Sequence, residues 1–444
     1  MSDMLSIGAS GVRAYQSALT TVSENIANAG TAGYVRRSAA LTEVAAPGSM
    51  SGTQGMGVVV AGLNRAGDPY RAGEVRAASS DLAKTETAAT WLDRIEGALT
   101  GDKLGDRLTA FFNSANAVAA DPSAIAPRAA MLEAAASVAS AFDGTGSALA
   151  AASADLDASA GAAVSQLNAL AAGLAKVNAG LGRTAPGTTG AATLADQRDQ
   201  LLEQMSAITD VSASFDTAGR VTLRVGGSSG PVLVAGDSAG LVTHVQNEEG
   251  AFSFSVYREG QASILAPTGG AFAGIVEGAQ RIAAARLQVD ALATAFVDGV
   301  NAVQAQGRDL TGNPGEPMLA AGDSPTRIQV VLTDPRGIAA AAVGGGVRDN
   351  RNLAGFADLR RTGGFESGVT DLVMSNASAL SARRAVSEAQ TAIHDSAVSA
   401  RDAASGVNID EEAVDLLRFQ QAYQASARVI QIARETLQTM LDIK

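Results

Sequence analysis

Two histidines, His244 and His394, are the only imidazole groups that this sequence offers for metal binding or acid–base chemistry, and it contains no cysteine. A helical zinc site of the metalloprotease type needs two histidines four residues apart. These two lie 150 residues apart, one in a predicted strand and one in a predicted helix. The absence of cysteine excludes disulfides, thiolate metal sites and cysteine nucleophiles. The sequence therefore predicts no metal site.

Glycine-rich loops can bind nucleotides, and paired carboxylates or an activated serine can catalyse hydrolysis. The sequence has no GxxxxGK[ST] phosphate loop and no GxSxG nucleophile motif. Gly226, Gly227, Gly230 and the run 344–346 lack the strand–turn–helix context of a dinucleotide fingerprint, so they are interpreted as turn residues. The acidic run 410–412 is typical of a helix start, where carboxylates favour the positive end of the helix dipole. We predict no catalytic residue and no cofactor, and the chain is not expected to be an enzyme.

Charge and hydropathy narrow the choice of partners. The net charge is −12, which argues against a general affinity for phosphate backbones and predicts no nucleic-acid partner. No apolar run approaches the roughly 20 residues of a membrane span, so no membrane partner is expected. The first residues lack a basic segment, an apolar segment and a cleavage signal of the secretory type. The protein is thus expected either to stay in the cytoplasm or to leave it by a route without a cleaved signal.

The N-terminal segment has the heptad pattern of a coiled coil. Apolar residues recur every seven positions, and further residues follow each of them by three, as in an a/d seam. The residues expected at the seam are Leu5, Val12, Tyr15, Leu19, Val22 and Ile26. Gly30 should end the helix, because glycine readily adopts the left-handed conformation that closes one.

The C-terminal segment repeats with the same period of seven. Asn408 can cap the helix and Glu411 stands at the reciprocal position of a capping box. The residues expected at this seam are Ile409, Leu416, Phe419, Tyr423, Ile430 and Leu437. Each seam could pack only on its own domain, but two matched seams at opposite ends of a chain can also pair with each other. We predict that they form one stem, which is poorly ordered in the monomer and becomes ordered when neighbouring subunits cover its second face.

The middle of the chain changes from helical to strand-like and back. Helical periodicity covers 74–181 and 192–205, returns over 275–303, and extends again from 369 to about 404. Short runs rich in Val, Thr and Phe between glycine-containing turns predict strands at 211–215, 220–225, 232–234, 241–245, 252–257 and 328–332.

These patterns predict an α+β multidomain fold with a terminal coiled-coil stem, a long-helix bundle and an inserted antiparallel β domain. The stem is assigned to 1–35 with 405–444, and the bundle to 36–206 with 271–310 and 346–404. The outer β-rich domain is assigned to 207–270 with 311–345.

A short motif follows the first helix. Residues 25–34 read NIANAGTAGY, and this sequence resembles the signature that opens flagellar rod, hook and hook-associated proteins; its matching residues are Asn25, Asn28, Gly33 and Tyr34. The segment DQRDQLL at 196–202 resembles the one that precedes the sheet domain of the FlgK family. SGVNIDEE at 405–412 and QQAYQA at 420–425 resemble the FlgK C-terminus. By these segments the chain resembles members of the FlgK family.

The resemblance implies a structural subunit of the bacterial flagellum that joins hook to filament. It implies export through the flagellar type III apparatus and an extracellular location at the distal end of the hook. The implied partners are other copies of the chain in a ring, the hook protein, a second junction protein next to the filament, and an export chaperone. A hook or rod subunit of the same superfamily is the nearest alternative, and a secreted adhesin is an alternative of another class.

Overall fold

The computed structural model describes residues 2–45 and 55–442. Nine α-helices lie within these ranges, numbered in chain order: α1 Ser2–Asn28, α2 Pro69–Thr100, α3 Leu104–Ala120, α4 Ile125–Leu181, α5 Thr189–Ile208, α6 Gly270–Gln306, α7 Ala354–Gly363, α8 Phe365–Ser405 and α9 Ile409–Asp442. The strands are β1 Arg37–Ala45, β2 Gly55–Arg65, β3 Val211–Phe215, β4 Val221–Val225, β5 Val232–Ala235, β6 Ser238–Ala239, β7 Leu241–Gln246, β8 Phe252–Arg258, β9 Gln261–Leu265, β10 Leu319–Ala321 and β11 Ile328–Val330.

A bundle of long helices forms the body. The longest helix, α4, has 57 residues and is about 85 Å long at 1.5 Å per residue. Its buried apolar residues recur at intervals of three and four, as expected for a helix with one face on a core. Where α3, α4 and α6 meet, aromatic rings pack edge to face: the centroids of Phe111 and Phe296 lie 5.2 Å apart. This cluster anchors the end of the bundle remote from the β domain.

The β domain consists of two antiparallel sheets, with strand orders β3-β4-β5-β6 and β7-β8-β9. Five of its strands lie within one residue of the predicted bounds, because each combines β-branched or aromatic residues with a flanking turn. Two strands of this domain were not predicted: β6, which has two residues, and β9, whose sequence QASIL is mostly small or polar. Asn168 of α4 attaches β7 to the bundle, since its side chain accepts from the Val242 N–H at 2.8 Å and donates to the Val242 carbonyl at 2.9 Å.

The assignment of 311–345 to the same outer domain needs correction. β10 and β11 pair with each other in a separate two-stranded sheet, which packs on α4 and on the end of α6 opposite the large sheets. Buried Arg128 of α4 explains part of this placement. Its guanidinium donates to the carbonyls of Pro122 and Ile338, each at 2.7 Å, and also to that of Pro335. The segment after β11 is therefore part of the body.

The region between the first helix and α2 also differs from its assignment to the bundle. β1 and β2 form a long antiparallel hairpin that packs along α1, and the Ser10 hydroxyl accepts from the backbone N–H of Val58 at 3.1 Å. The hairpin turn lies outside the described residues. We predicted that neighbouring subunits cover the second face of the stem. On α1, the chain's own β1–β2 hairpin covers that face.

Candidate assembly interface at the paired termini

Helices α1 and α9 pack against each other in antiparallel fashion. A Cβ atom on Gly8 would lie 2.7 Å from Cγ1 of Ile430, and one on Gly11 would lie 2.7 Å from Oγ of Ser426. Further along, the rings of Tyr15 and Phe419 have centroids 6.3 Å apart. The two glycines therefore set a close approach that any larger side chain would prevent.

The predicted seam residues differ in how deeply they are buried between α1 and α9. Val22 is buried, whereas Leu5, Val12, Tyr15, Leu19, Ile26, Leu416, Phe419, Tyr423 and Ile430 are half-buried. The most buried positions of α1 are instead small or polar residues that follow one another at intervals of three and four: Gly8, Gly11, Ala14, Ala18, Thr21 and Asn25. This spacing was visible in the sequence, but small residues carry little weight in a search for apolar repeats.

Two predicted seam residues lie outside the contact, and this corrects the expected seam. Leu437 is 42% exposed. Because α1 and α9 are antiparallel and Gly8 lies opposite Ile430, the residue opposite Leu437 would be near residue 1, and the described part of α1 begins at residue 2. Ile409 is 57% exposed, because the contact at that end is made by polar groups around Glu412.

Asn25 of the motif is the centre of this polar group. It is fully buried, and its Nδ2 donates to the Arg37 carbonyl at 2.8 Å and to Oε2 of Glu412 at 3.0 Å. Its Oδ1 accepts from the Tyr34 hydroxyl at 2.9 Å and from the Arg37 N–H at 3.1 Å. One amide side chain thus joins α1, the segment before β1, and the start of α9, and all of its hydrogen-bonding capacity is used.

The other motif residues hold the same loop. Tyr34 is partly buried, and desolvation raises the pKa of its hydroxyl. Gly33 has φ +75°, and a Cβ there would collide with the side chain of Gln200, whose Nε2 donates to the Ala32 carbonyl at 2.7 Å. Asn28 makes local bonds only: its Nδ2 donates to the Glu24 carbonyl at 2.9 Å, and its Oδ1 accepts from the Thr31 hydroxyl at 3.3 Å.

A ladder of arginines and carboxylates connects this loop with the body. Asp196 of α5 accepts from Arg37 and from Arg65, both at 2.7 Å, and Asp199 accepts from Arg65 at 2.8 Å. Arg198 then bonds to Asp199 at 2.6 Å. Three of these residues belong to the DQRDQLL segment, so its unusual charge density is explained by contacts with β1 and β2.

Arg36 continues the polar contacts on the stem side. Its Nε donates to Oε1 of Glu412 at 2.6 Å, and its backbone N–H donates to the Ser405 carbonyl at 2.9 Å. The hydrogen bond with Glu412 raises the pKa of Arg36, so this buried carboxylate always faces a charged partner. From the sequence, Glu412 was interpreted only as a charge that stabilises the start of a helix.

A cavity of about 670 Å³ lies where the stem meets the body. The motif loop, the start of α2, α5 and the α8–α9 connection form its walls. Arg76 lines it, its side chain makes no hydrogen bond or ion pair with any described residue, and desolvation lowers the pKa of its guanidinium. The stem is therefore attached to the body by chain connections and ion pairs around a gap.

The side of α9 that faces away from α1 exposes several large apolar side chains. Seven large hydrophobic side chains of α9 are exposed, against two of α1, within the described residues. Five of those of α9 lie on the side away from α1, namely Val414, Leu417, Val429, Ile432 and Met440, whereas Ile409 and Leu437 lie at the two ends of the seam side. Such a stripe is costly to leave in water and marks a surface that another helix can cover.

The candidate metal ligands are dispersed. His244 contacts Asp157 of α4 at 3.1 Å, and His394 lies 3.5 Å from Asp395. Among the residues that the structure describes, no three His, Cys, Asp or Glu side chains converge in a way that could hold a metal ion. Within the same ranges, no helix combines the length and the apolar character needed to cross a bilayer.

Family comparisons identify the relatives of this chain. The model for the helical domain of the flagellar hook-associated protein FlgK matches residues 90–319, just over half of the chain. A model for the C-terminal region of the flagellar basal body rod proteins FlgEFG matches residues 399–443.

Individual relatives share the same name. Flagellar hook-associated protein 1 of Salmonella typhimurium strain LT2 is 28% identical over 72% of this chain, and the chain spans 60% of that protein. The proteins of that name from Escherichia coli K12 and Bacillus subtilis 168 are 24% and 25% identical over 100% and 97% of this chain. The solved hook junction protein FlgK from Burkholderia pseudomallei has a similar fold, with a TM-score of 0.51 and 21% identity, over 56% of this chain and 47% of its own.

Proposed function

Because the chain belongs to the FlgK family of flagellar hook-associated proteins, we propose that it is a structural subunit that joins the hook of the bacterial flagellum to its filament. It acts by assembly and not by catalysis. Its terminal helices carry the contacts between subunits, and its body and β domain lie outside them.

The unequal exposure of the two terminal helices supports this proposal most directly. In the single chain, α1 is covered by α9 on one side and by the β1–β2 hairpin on another. Helix α9 has one covered face and one apolar exposed face. Burying a large apolar side chain contributes about 1.5–3 kcal/mol, so several such residues provide enough driving force for association.

The partners follow from the same role. The proposed neighbours are other copies of the chain in a ring, the hook protein on one side and a second junction protein on the filament side. The subunit is exported by the flagellar type III apparatus and resides in the extracellular flagellum, and an export chaperone covers apolar α9 before export.

The match to the rod-protein model at 399–443 does not separate a junction subunit from a hook or rod subunit, because that model describes rod proteins. The match at 90–319 does favour the junction role, since the corresponding model is specific to FlgK.

A deletion strain complemented with variants tests the proposal. Wild type should restore filaments, whereas Leu416→Asp with Ile430→Asp should leave hooks without filaments and release flagellin into the medium. Both residues are half-buried between α9 and α1, so two carboxylates there separate the helices. Ser381→Asp with Thr391→Asp adds the same charge at exposed positions of α8 and should behave as wild type.

Motility and electron microscopy of the cells are the readouts. Normal filaments in the deletion strain would exclude the junction role. Missing hooks would instead assign the chain to the hook or the rod.

A further inference from the structure

The second half of α8 has an exposed surface that is divided into two unlike faces. Successive residues of an α-helix are about 100° apart around its axis. On one exposed face lie the charged side chains of Arg384, Glu388, Asp395 and Asp402. The neighbouring face, about 120° wide, has no charged residue from Met374 to Ala403.

We call this second surface the uncharged α8 face. Its exposed members are Met374, Ser375, Ser378, Ala382, Ala385, Val386, Ala389, Ala392, Ile393, Ser396 and Ala403. Val386 and Ile393 are seven residues apart, and they are 43% and 59% exposed. Small residues around two large ones form the shallow ridge against which another helix packs closely.

The charge of the chain indicates what covers this face. Each copy has a net charge of −12, so two copies repel each other unless they meet through surfaces that bring no like charges together. The uncharged α8 face satisfies that condition over about 45 Å of helix. A basic partner would instead be expected to seek the acidic residues of the adjoining face.

Chain continuity favours the same occupant. Helix α8 ends at Ser405 and α9 begins at Ile409, so the uncharged face leads into the helix with the exposed apolar stripe. A neighbouring copy held by α9 is thereby kept at high local concentration beside α8.

We propose that the uncharged α8 face is a lateral contact between neighbouring copies of this chain in the assembled junction. This inference rests on the proposed function. The face offers roughly 450 Å² as a strip about 10 Å wide, less than the about 800 Å² per partner of a standard stable interface. The isolated chain is therefore expected to remain monomeric, and the contact forms only when α9 assembles as well.

Site-specific labelling tests the contact, and the absence of cysteine makes each label unique. Ala389→Cys lies on the uncharged face, and Thr391→Cys lies on the charged face of the same helix; both native residues are exposed. In the purified monomer both thiols should react with a maleimide at similar rates. In isolated flagella the thiol at 389 should react more slowly by about tenfold or more, while that at 391 should be unchanged.

The covering partner is then identified by photocrosslinking. Benzophenone maleimide on Ala389→Cys should give an adduct of two copies, at twice 44.5 kDa. An adduct with a different flagellar protein, or no adduct and no protection of the thiol, would overturn the proposal.

Charge substitution provides an independent readout in the deletion strain. Ala389→Glu with Ile393→Glu should reduce the fraction of hooks that carry filaments, whereas Ser381→Glu with Thr391→Glu should not. If wild type restores filaments and the variant with Glu at 389 and 393 restores them equally, the junction role stands and the α8 contact is wrong. If the deletion strain has normal filaments, the proposed function itself fails.

Discussion

At the scale of single residues, the two asparagines of the NIAN motif have different environments. Asn25 is fully buried and bonds to three parts of the chain, while Asn28 is half-buried and bonds only to its own helix and to Thr31 just beyond it. A motif found by resemblance thus contains one residue that connects distant segments and one that supports the helix end.

This difference predicts unequal costs of substitution. Asn25→Ala should lower the free energy of unfolding by about 1–3 kcal/mol, because it leaves the buried Arg37 N–H and carbonyl without their partner. Asn28→Ala should cost clearly less. Urea denaturation of both variants measures the difference, and equal costs would contradict the role assigned to Asn25.

Arg128 gives a second prediction at this scale. It is 1% exposed and donates to backbone carbonyls without forming an ion pair, and burial lowers the pKa of its guanidinium more than the nearby charge of Asp309 raises it. Arg128→Ala should destabilise the chain by about 3 kcal/mol, since several carbonyls lose a charged donor.

Arg128→Lys is the graded control. An ammonium group keeps the charge but cannot reach the carbonyls of Pro122 and Ile338 with two separate nitrogens. The stability of Arg128→Lys in thermal denaturation should fall between those of wild type and Arg128→Ala. A lysine variant as stable as wild type would show that the planar guanidinium, with its separate nitrogens, is not needed to hold these carbonyls.

At the scale of elements, the approach of α1 to α9 depends on glycine. Gly8→Val should separate the two helices, because even a Cβ at position 8 comes within 2.7 Å of Ile430. Amide hydrogen exchange should become faster in both helices and stay unchanged in α4. Gly30→Ala is the control, since no heavy atom lies within 4 Å of a Cβ at that position.

Unchanged exchange in Gly8→Val would mean that the two helices are not held together by this contact in solution. Weak protection in the wild-type monomer would support the expectation that the stem becomes ordered only in the assembly.

An element was predicted correctly when its sequence pattern is strong and lies within a short segment of the chain. Helices of the body and five strands of the β domain were found because their apolar periodicity is strong and local. The hairpin of β1 and β2 was missed even though β2 contains three consecutive valines from Val58 to Val60, since its packing partner α1 lies elsewhere in the chain. The partners of Asn25 could not be predicted, because Glu412 is 387 residues away.

At the scale of the whole molecule, folding and assembly use different faces of the same helix. Leu416 and Ile430 of α9 face the chain's own α1, whereas Leu417 and Ile432 are 58% and 50% exposed. Substitutions on the two faces should therefore have separable effects.

Leu417→Asp with Ile432→Asp should leave the unfolding of the monomer within about 0.5 kcal/mol of wild type, as for other surface substitutions. The same variant should not restore filaments in the deletion strain, because its apolar face no longer attracts a neighbour. Calorimetry and electron microscopy report the two effects. A large loss of monomer stability, or normal filaments, would contradict the division of α9 into two faces.

The position of the stem in the chain also determines when it can form. Its two helices come from opposite ends of the described sequence, Ser2–Asn28 and Ile409–Asp442, with the entire body between them. If the chain is exported through a narrow channel, as proposed above, all residues of the body are outside before the two stem helices can meet. Closure of this long loop is entropically slow, so it comes late in folding. Under the proposed export route, the two stem helices pair, and the subunit joins its neighbours, only after nearly the whole chain has left the channel.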